Sequence, residues 1–257
     1  MLPTEIHLEK GKKIFFASDF HLGVPDYKES LAREKKIVRW LEDIKQEAHA
    51  VFLLGDVFDF WFEYKKVIPK GFIRLQGKLA ELSDSGISIF MFHGNHDMWM
   101  FDYFKNELNI EIVPGTYTFS SGKKIFHVGH GDGLGPGDYS YKLLKKIFNN
   151  KICQFLFGVL PPVLGMGLAH WWSKKSRIYN DNETSKEDKV EMLHDYCLTK
   201  ESVSHHDFYI FGHRHKIIQK QIGANSTYFN LGEWVNNSTY ATFDGEKVTL
   251  HTFTDQG

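Results

Sequence analysis

The chain has 257 residues, 42% of them hydrophobic and 25% charged, which is enough for one large domain with a sizeable core. Its formal net charge of −1 argues against a general nucleic-acid-binding protein, because such domains are usually basic. The two cysteines, Cys153 and Cys197, lie far apart without metal-binding or redox spacing, so a reducing compartment fits and no disulfide framework is expected. The first residues, MLPTEIHLEKGKK, contain no apolar segment, which predicts that the chain has no signal peptide.

Five short runs rich in Ile, Phe, Val and Leu each end in polar or charged residues. Runs of four to six such residues predict strands that are covered on both faces. The polar clusters after these runs contain, in chain order, Asp19 and His21; Asp56 and Asp59; Asn95, His96 and Asp97; His130 and Asp132; and His213 and His215.

Two stretches between the first three runs have apolar residues at helical spacing. They cover residues 30–46 and 72–86, and Gly86 is a plausible C-terminal stop for the second. The alternation of strand and helix predicts an α/β fold whose first strands are mainly parallel. Near the end of the chain, an alternating pattern around Asp244-Gly245 predicts a hairpin, as an antiparallel edge or part of a second sheet.

In open α/β sheets, ligands bind at the carboxyl ends of the strands, where all five polar clusters fall. A single Asp there is usually a turn residue or helix cap, but five clusters in order are hard to explain in that way. Imidazole, carboxylate and carboxamide groups without a thiolate suit Mn, Fe or Zn. The groups are too many for one ion, so we expect two ions, which would lower the pKa of a bridging water and clamp phosphoryl oxygens during in-line displacement.

The motifs resemble those of the calcineurin-like metallophosphoesterases. DFH, GDVFD, GNHD, GH and GHRH match the five blocks of that family's pattern between residues 19 and 215. The resemblance implies a four-layer α-β-β-α sandwich, in which two mixed sheets lie between helices. It assigns the first metal ion to Asp19, His21, Asp56 and His215, and the second to Asp56, Asn95, His130 and His213. It also implies that His96 contacts the phosphoryl group or protonates the leaving oxygen, with Asp59 as its carboxylate partner.

Residues 152–172, ICQFLFGVLPPVLGMGLAHWW, contain no Lys, Arg, Asp or Glu and are long enough for a transmembrane helix. Pro161-Pro162 would break that helix, and a single span would separate His213 and His215 from the other clusters. We therefore expect a helical insertion at about 138–195 within one domain of residues 1–257, with two short helices and a turn at the prolines. It is either a hairpin buried against the core or an apolar cap for a lipid chain that touches a membrane.

Basic residues flank this apolar segment on both sides. Beside an exposed apolar surface they would suit anionic headgroups or a substrate pyrophosphate, and the alternative is an ordinary solvated face. Lys142, Lys145, Lys146 and Lys151 precede the segment, and Lys174, Lys175 and Arg177, which follow it, are candidate phosphate contacts together with Arg214.

Within the family, GDVFDFW and HGDGLGPGDYSYK are similar to the UDP-2,3-diacylglucosamine hydrolases of lipid A synthesis. This resemblance implies cleavage of UDP-2,3-diacylglucosamine to UMP and 2,3-diacylglucosamine 1-phosphate, with Asp138 and Tyr141 contacting the substrate at the base of the lid. His96 and Asp59 depart from the Arg and Glu that many of these enzymes have there.

We further expect manganese as the cation, with iron or zinc possible, and a cytoplasmic enzyme that is peripheral at the inner membrane. Two alternatives stay open. One is a phosphoesterase for a soluble nucleotide or phosphoprotein, and the other is a non-catalytic scaffold that binds a membrane or a partner.

Overall fold

The computed structural model describes residues 3–137, 139–168 and 188–255, with side chains in the last range from Met192 onward. Its strands are β1 (Thr4–Glu5), β2 (Lys13–Ala17), β3 (Ala48–Leu53), β4 (Ser88–Phe92), β5 (Glu111–Val113), β6 (Tyr117–Ser121), β7 (Lys124–Gly129), β8 (Phe208–Phe211), β9 (Ile217–Ile222), β10 (Ser226–Leu231), β11 (Thr239–Phe243) and β12 (Val248–Thr252). Its helices are α1 (Tyr27–Ile44), α2 (Ile73–Asp84), α3 (Tyr103–Leu108), α4 (Tyr139–Phe148), α5 (Lys151–Val159) and α6 (Asp188–Val203), and residues 162–168 are also helical.

The strands form two mixed six-stranded sheets. The first has the order β12-β11-β2-β3-β4-β5, and the second has the order β1-β6-β7-β8-β10-β9. In the first sheet β2, β3, β4 and β5 are parallel, and in the second β7 is parallel to β8. The five strands that precede the polar clusters therefore end at one edge of their sheets, and this edge brings the clusters together.

Three apolar interfaces hold the layers together. Helices α1, α2 and α3 cover the first sheet through a core that contains Trp40 and Leu79. Between the sheets lies a phenylalanine-rich core, in which the rings of Phe16 and Phe52 are 5.2 Å apart. Helix α6 covers the second sheet, where Cys197 is fully buried. This four-layer arrangement confirms the fold class predicted from the sequence.

The predicted local elements are present with small shifts at their ends. Helix α1 begins at Tyr27 instead of residue 30, because the Asp26 side chain caps it by accepting a 2.9 Å hydrogen bond from the Glu29 main-chain N–H. Helix α2 ends just before Gly86, whose φ of +86° permits the turn that stops it. The hairpin around Asp244-Gly245 joins β11 to β12, which pair antiparallel.

The insertion begins with α4 and α5, which are followed by a turn at Leu160 and Pro161 and by the helical residues 162–168, which begin at Pro162. Within the described part of the chain no helix is long and apolar enough to cross a membrane. Most of the apolar side chains of residues 139–168 face solvent, with Phe155 exposed by 70% and Val163 by 83%, so this described part of the insertion is not a hairpin buried against the core. We call residues 139–168 the lid.

Candidate metal centre

The loops after the five strands have unusual backbone conformations. Five of the predicted ligands have positive φ values, between 45° and 68°, a region that residues other than glycine rarely adopt. Such strain persists only where surrounding contacts enforce it, and it concentrates at functional sites. Main-chain bonds between the first two loops, from Asp19 N to Gly55 O at 3.1 Å and from His21 N to Asp56 O at 2.9 Å, provide part of that support. The five residues are Asp19, His21, Asp56, His213 and His215.

The first group of candidate ligands consists of Asp19, His21 and His215. The Nε2 atoms of the two histidines are 3.0 Å apart, and the Oδ1 atom of Asp19 lies 3.2 Å from His215 Nε2 and 3.7 Å from His21 Nε2. Three ligand atoms from both sheets thus converge on one point.

The second group consists of Asp56, His130 and His213. The Nε2 atom of His130 lies 3.3 Å from Asp56 Oδ2 and 3.1 Å from the carboxamide Oδ1 of Asn95. Asp56 Oδ2 is also 3.7 Å from His21 Nε2, so this carboxylate lies between the two groups. The structure therefore brings all seven predicted metal ligands together and puts His213 and His215 in different groups.

The donor set fits two divalent cations. The Nδ1 atom of His130 lies 2.8 Å from the main-chain oxygen of Leu54, a bond that needs the hydrogen on Nδ1 and leaves the lone pair of Nε2 facing Asp56 and Asn95. At the other group, two imidazole nitrogens face each other across 3.0 Å beside a fully buried carboxylate. Nitrogen and carboxylate donors without a thiolate suit Mn, Fe or Zn.

The buried carboxylates dominate the electrostatics of the site. Burial alone would lower the pKa of His21, but Asp19 and its neighbours raise it to about 10. At His130 burial is again outweighed, chiefly by Asp56, and the pKa rises to about 10. His213 behaves in the opposite way, since burial and the nearby His130 lower its pKa to about 3. The raised pKa values of His21 and His130 show that the carboxylates of Asp19 and Asp56 strongly favour positive charge between the two groups of candidate ligands. Divalent cations would supply that charge.

Asp97 organises the loops, and we did not assign it a role from the sequence although it belongs to the GNHD motif. One carboxylate oxygen accepts hydrogen bonds from the N–H groups of Gly94 at 2.8 Å and Asp56 at 3.2 Å. The other accepts from Phe58 N–H at 3.2 Å. Burial and the charge of Asp56 raise the pKa of Asp97 to about 7. Gly94 is required here, because a side chain at that position would overlap the Asp56 carboxylate.

His96 and Asp59 lie together beside the first group. The Nδ1 atom of His96 is 3.1 Å from the main-chain oxygen of Asp59 and 3.7 Å from its carboxylate Oδ1. The main-chain oxygen therefore accepts the Nδ1 hydrogen, while the carboxylate contributes its charge at a longer distance. The His96 N–H also donates to Asp56 Oδ1 at 2.9 Å, which fixes the histidine next to the candidate bridging carboxylate.

Arg33 supports the first loop from helix α1, and no sequence signal pointed to it. It is buried, and its Nε donates to the main-chain oxygen of Phe20 at 2.7 Å. Its Nη2 donates to the oxygen of His21 at 2.6 Å and also to that of Val24. One guanidinium thus binds three carbonyl groups of the loop that contains Asp19 and His21.

The lid docks on the site through aromatic side chains. Phe157 of α5 packs against Trp99 and Phe62, with ring centroids 4.7 and 4.8 Å apart, and Phe62 follows the second motif while Trp99 follows the third. A second attachment joins α4 to the fourth motif, since the buried Asp132 accepts hydrogen bonds from Tyr141 Oη at 2.5 Å and from Lys145 Nζ at 2.6 Å. The lid is therefore connected to three of the five metal-motif loops.

The predicted substrate contacts are described only in part. Tyr141 lies at the base of the lid as expected, bound to Asp132. Arg214 is half-buried, and burial lowers its pKa, an effect that Tyr228 opposes. Asp138, Lys174, Lys175 and Arg177 lie outside the described residues.

Comparison with known proteins points to one family. A model of the calcineurin-like phosphoesterase family matches residues 12–217. UDP-2,3-diacylglucosamine hydrolase from Porphyromonas gingivalis is 35% identical, covering 95% of this chain and 98% of that protein. The hydrolase of the same name from Histophilus somni strain 129Pt is 28% identical, and the match covers 87% of this chain and 92% of that protein. Among solved structures, a phosphoesterase from E. coli aligns with a TM-score of 0.45 and 16% identity over 92% of this chain and 90% of that one, a similarity too low to bear on function.

Proposed function

Because the chain belongs to the calcineurin-like phosphoesterase family and is a metal-dependent hydrolase, we propose that it cleaves UDP-2,3-diacylglucosamine to UMP and 2,3-diacylglucosamine 1-phosphate. The observation that carries this choice of substrate is the lid, which exposes apolar side chains and is docked on the loops of the metal motifs. A lipid-linked nucleotide needs an apolar surface for its acyl chains beside a centre for its pyrophosphate. The relatives that cover nearly the whole chain are named for this substrate.

The residues have separable roles in this reaction. Asp19, His21, Asp56 and His215 would hold one cation, and Asp56, Asn95, His130 and His213 the other. Bound divalent cations would lower the pKa of a water and neutralise charge on the phosphoryl oxygens. The main-chain oxygen of Asp59 holds the Nδ1 hydrogen of His96, so that Nε2 would meet the substrate.

The reaction breaks the bond between one phosphorus and the bridging oxygen of the pyrophosphate. A water oxygen becomes bonded to that phosphorus, and the leaving phosphate takes the bridging oxygen. His96 is positioned to stabilise the phosphoryl charge or to donate a proton to the leaving oxygen. The Asp59 carboxylate, at 3.7 Å, would favour the protonated imidazole that both roles require.

The proposal includes the cellular setting. The exposed apolar side chains of the lid would touch the membrane that contains the substrate, which makes the enzyme peripheral at the cytoplasmic face of the inner membrane. Manganese suits the mixture of oxygen and nitrogen ligands, with iron and zinc as the other candidates. The residues that would contact the substrate are Asp138, Tyr141, Lys174, Lys175, Arg177 and Arg214.

The test is a comparison of two substrates with the purified enzyme and added Mn²⁺. UDP-2,3-diacylglucosamine in detergent micelles should be hydrolysed with a kcat/KM at least ~10²-fold above that of bis-p-nitrophenyl phosphate, since acyl chains that bury about ten CH₂ groups provide several kcal/mol. UMP and the lipid phosphate should appear in equal amounts. A preference of only a few-fold would favour the second candidate, a phosphoesterase for a soluble nucleotide or phosphoprotein.

A non-catalytic scaffold is not favoured. Its surface would not require seven converging candidate ligands, five of which have strained backbone conformations. Metal analysis checks this point, since a scaffold would be expected to purify with less than one ion per chain after incubation with Mn²⁺.

A further inference from the structure

A loop after the second metal motif has positive charges that have no carboxylate partner among the described residues. Lys65, Lys66, Lys70 and Arg74 are all exposed, and none of them forms an ion pair with a described side chain. No acidic residue occurs between residues 64 and 80. We call residues 65–74, which comprise this loop and the first two residues of α2, the basic loop. Uncompensated charge of one sign on a surface favours a partner of the opposite sign.

The basic loop also exposes aliphatic side chains. Val67 is 50% exposed, and Ile73, the first residue of α2, is 76% exposed. The loop is nevertheless ordered by the core, because Pro69 is buried and the Tyr64 N–H donates to the Val67 oxygen at 3.0 Å. Cationic and aliphatic side chains that alternate on an ordered surface suit the interface of a bilayer, which takes both.

The basic loop adjoins the lid. Tyr64, directly before it, packs on Phe157 of α5, and its hydroxyl lies against Gly165. At its other end, Phe72 packs on Phe58 and approaches Gly23, beside the first metal motif. The basic loop therefore runs from beside the lid to beside the first metal motif.

The lysines of α4, which the sequence pointed to, are less available. Lys145 is paired with the buried Asp132 at 2.6 Å, and Lys142 donates to the main-chain oxygen of Gly135 at 2.5 Å. Two of the four lysines before the apolar segment are thus engaged within the protein. A second set of exposed cations is available in the basic loop, which begins directly after Tyr64 and therefore beside the lid.

We propose that the basic loop is the electrostatic part of the membrane-binding surface and that it binds the anionic headgroups of a lipid bilayer next to the lid. This inference rests on the proposed function, because it requires the enzyme to meet its substrate at a membrane. The exposed apolar side chains of the lid would insert into the bilayer whatever the charge of its lipids. The basic loop would make the enzyme bind anionic bilayers more tightly than neutral ones. Binding through the loop would also hold the lid, which is docked on the metal-motif loops, against the bilayer from which a lipid-linked substrate must come.

The experiment compares two variants that each lose four positive charges. The loop variant carries Lys65→Gln, Lys66→Gln, Lys70→Gln and Arg74→Gln. The control variant carries Lys10→Gln, Lys123→Gln, Lys220→Gln and Lys247→Gln, which are exposed and lie away from the lid toward the opposite end of the sheets. Membrane binding is measured by co-sedimentation with phosphatidylcholine vesicles, with and without phosphatidylglycerol. The activity of the metal centre is measured separately, by hydrolysis of bis-p-nitrophenyl phosphate.

Wild type and control variant should prefer the anionic vesicles. The loop variant should bind them ~10²-fold more weakly, because each cation near an anionic surface contributes a factor of several to partitioning. All three proteins should hydrolyse the soluble substrate at the same rate. Equal binding by the loop and control variants would overturn the inference. So would a loop variant that loses soluble hydrolysis, since the cations would then serve the metal centre.

A third variant separates this inference from the proposed function. Phe155→Ser with Val163→Ser removes exposed apolar side chains of the lid and should weaken binding to both kinds of vesicle. If it binds normally while the loop variant does not, the proposed lid contact is wrong and the basic loop is still supported. Normal vesicle binding without turnover of UDP-2,3-diacylglucosamine would refute the proposed substrate alone.

Discussion

The indole Nε1 of Trp99 donates a 2.9 Å hydrogen bond to the main-chain oxygen of Phe148, which connects the loop of the third metal motif to the end of α4. Trp99 is three residues after His96, so the same short segment touches both the metal centre and the lid. Trp99 therefore links the lid directly to the segment that contains His96, in addition to the other attachments of the lid.

We expect Trp99→Phe to affect lipid and soluble substrates differently. The ring can still pack on Phe157, but the hydrogen bond to the lid is lost, at a cost of about 1 kcal/mol of stability. KM for a lipid substrate should rise several-fold, while hydrolysis of bis-p-nitrophenyl phosphate should not change. Trp234→Phe is the matched control, because it removes a buried indole hydrogen bond, to Thr239 O, that does not involve the lid. If both variants behave alike, Trp99 has only a structural role.

Asp56→Ala should remove activity and metal content together. Asp56 Oδ2 lies between His21 and His130, so its loss leaves each group of candidate ligands without the carboxylate they would share. Metal per chain should fall below one ion and turnover to background, as measured by elemental analysis and bis-p-nitrophenyl phosphate hydrolysis. Asp244→Ala, in the distant hairpin turn, should leave both unchanged. Near-normal turnover with two ions bound to Asp56→Ala would disprove the assignment.

The fold and the grouping of the metal motifs could be predicted because their signals are local. Each of the five strands ends in its own cluster, and parallel neighbours place their carboxyl ends at one edge. The hairpin around Asp244-Gly245 was predictable for the same reason, because a few neighbouring residues determine both the turn type and the alternating pattern of the flanking strands.

Contacts between distant segments could not be predicted. Arg33 resembles any other cation on an amphipathic helix until folding buries it against the carbonyls of the first loop. The sequence allows Lys145 either a contact with lipid or phosphate or a place on a solvated face, but in the structure Asp132 pairs with it. In both cases tertiary packing decides the partner, and the pattern of hydrophobic residues along the sequence does not predict such packing.

Arg33→Met should weaken the first metal position. The substitution keeps much of the apolar stem but leaves the main-chain oxygens of Phe20 and His21 buried without a donor, at a cost of about 1–3 kcal/mol for each such group. We expect one of two Mn²⁺ ions to bind at least ~10-fold more weakly, as seen by calorimetric titration. Arg33→Lys should recover part of this loss. Uniform destabilisation with unchanged metal affinities would show that Arg33 acts on the fold alone.

His127 should make the protein less stable in mild acid. It is buried between Thr118 Oγ1 at 2.8 Å and Tyr196 Oη at 2.9 Å, and burial, with His206 nearby, lowers its pKa from 6.5 to about 3. The unfolded chain therefore binds a proton between these pH values that the folded chain does not. The contribution of His127 to the free energy of unfolding is therefore fully present above pH 6.5. It falls by about 1.4 kcal/mol per pH unit as the pH drops from 6.5 toward 3.

Urea unfolding at pH 7.5 and 5.5 tests this effect, with His127→Gln as the comparison and saturating Mn²⁺ present for both proteins. The glutamine can keep hydrogen bonds but does not titrate, so the wild type should lose about 1 kcal/mol more than the variant between the two pH values. Titration of the metal ligands is common to both proteins and cancels. Parallel pH dependence would mean that His127 is not neutral in the folded chain.

His96→Gln should keep both metal ions and lose turnover by ~10²–10⁴-fold if the imidazole is a general acid. The His96 N–H bond to Asp56 Oδ1 is made by the main chain and survives the substitution, so metal content should not change. The loss should grow with the basicity of the leaving group in a series of aryl uridine 5′-phosphate diesters, because a poor leaving group needs the proton most. A loss independent of the leaving group would assign His96 to phosphoryl charge stabilisation instead, and unchanged turnover would remove it from the reaction.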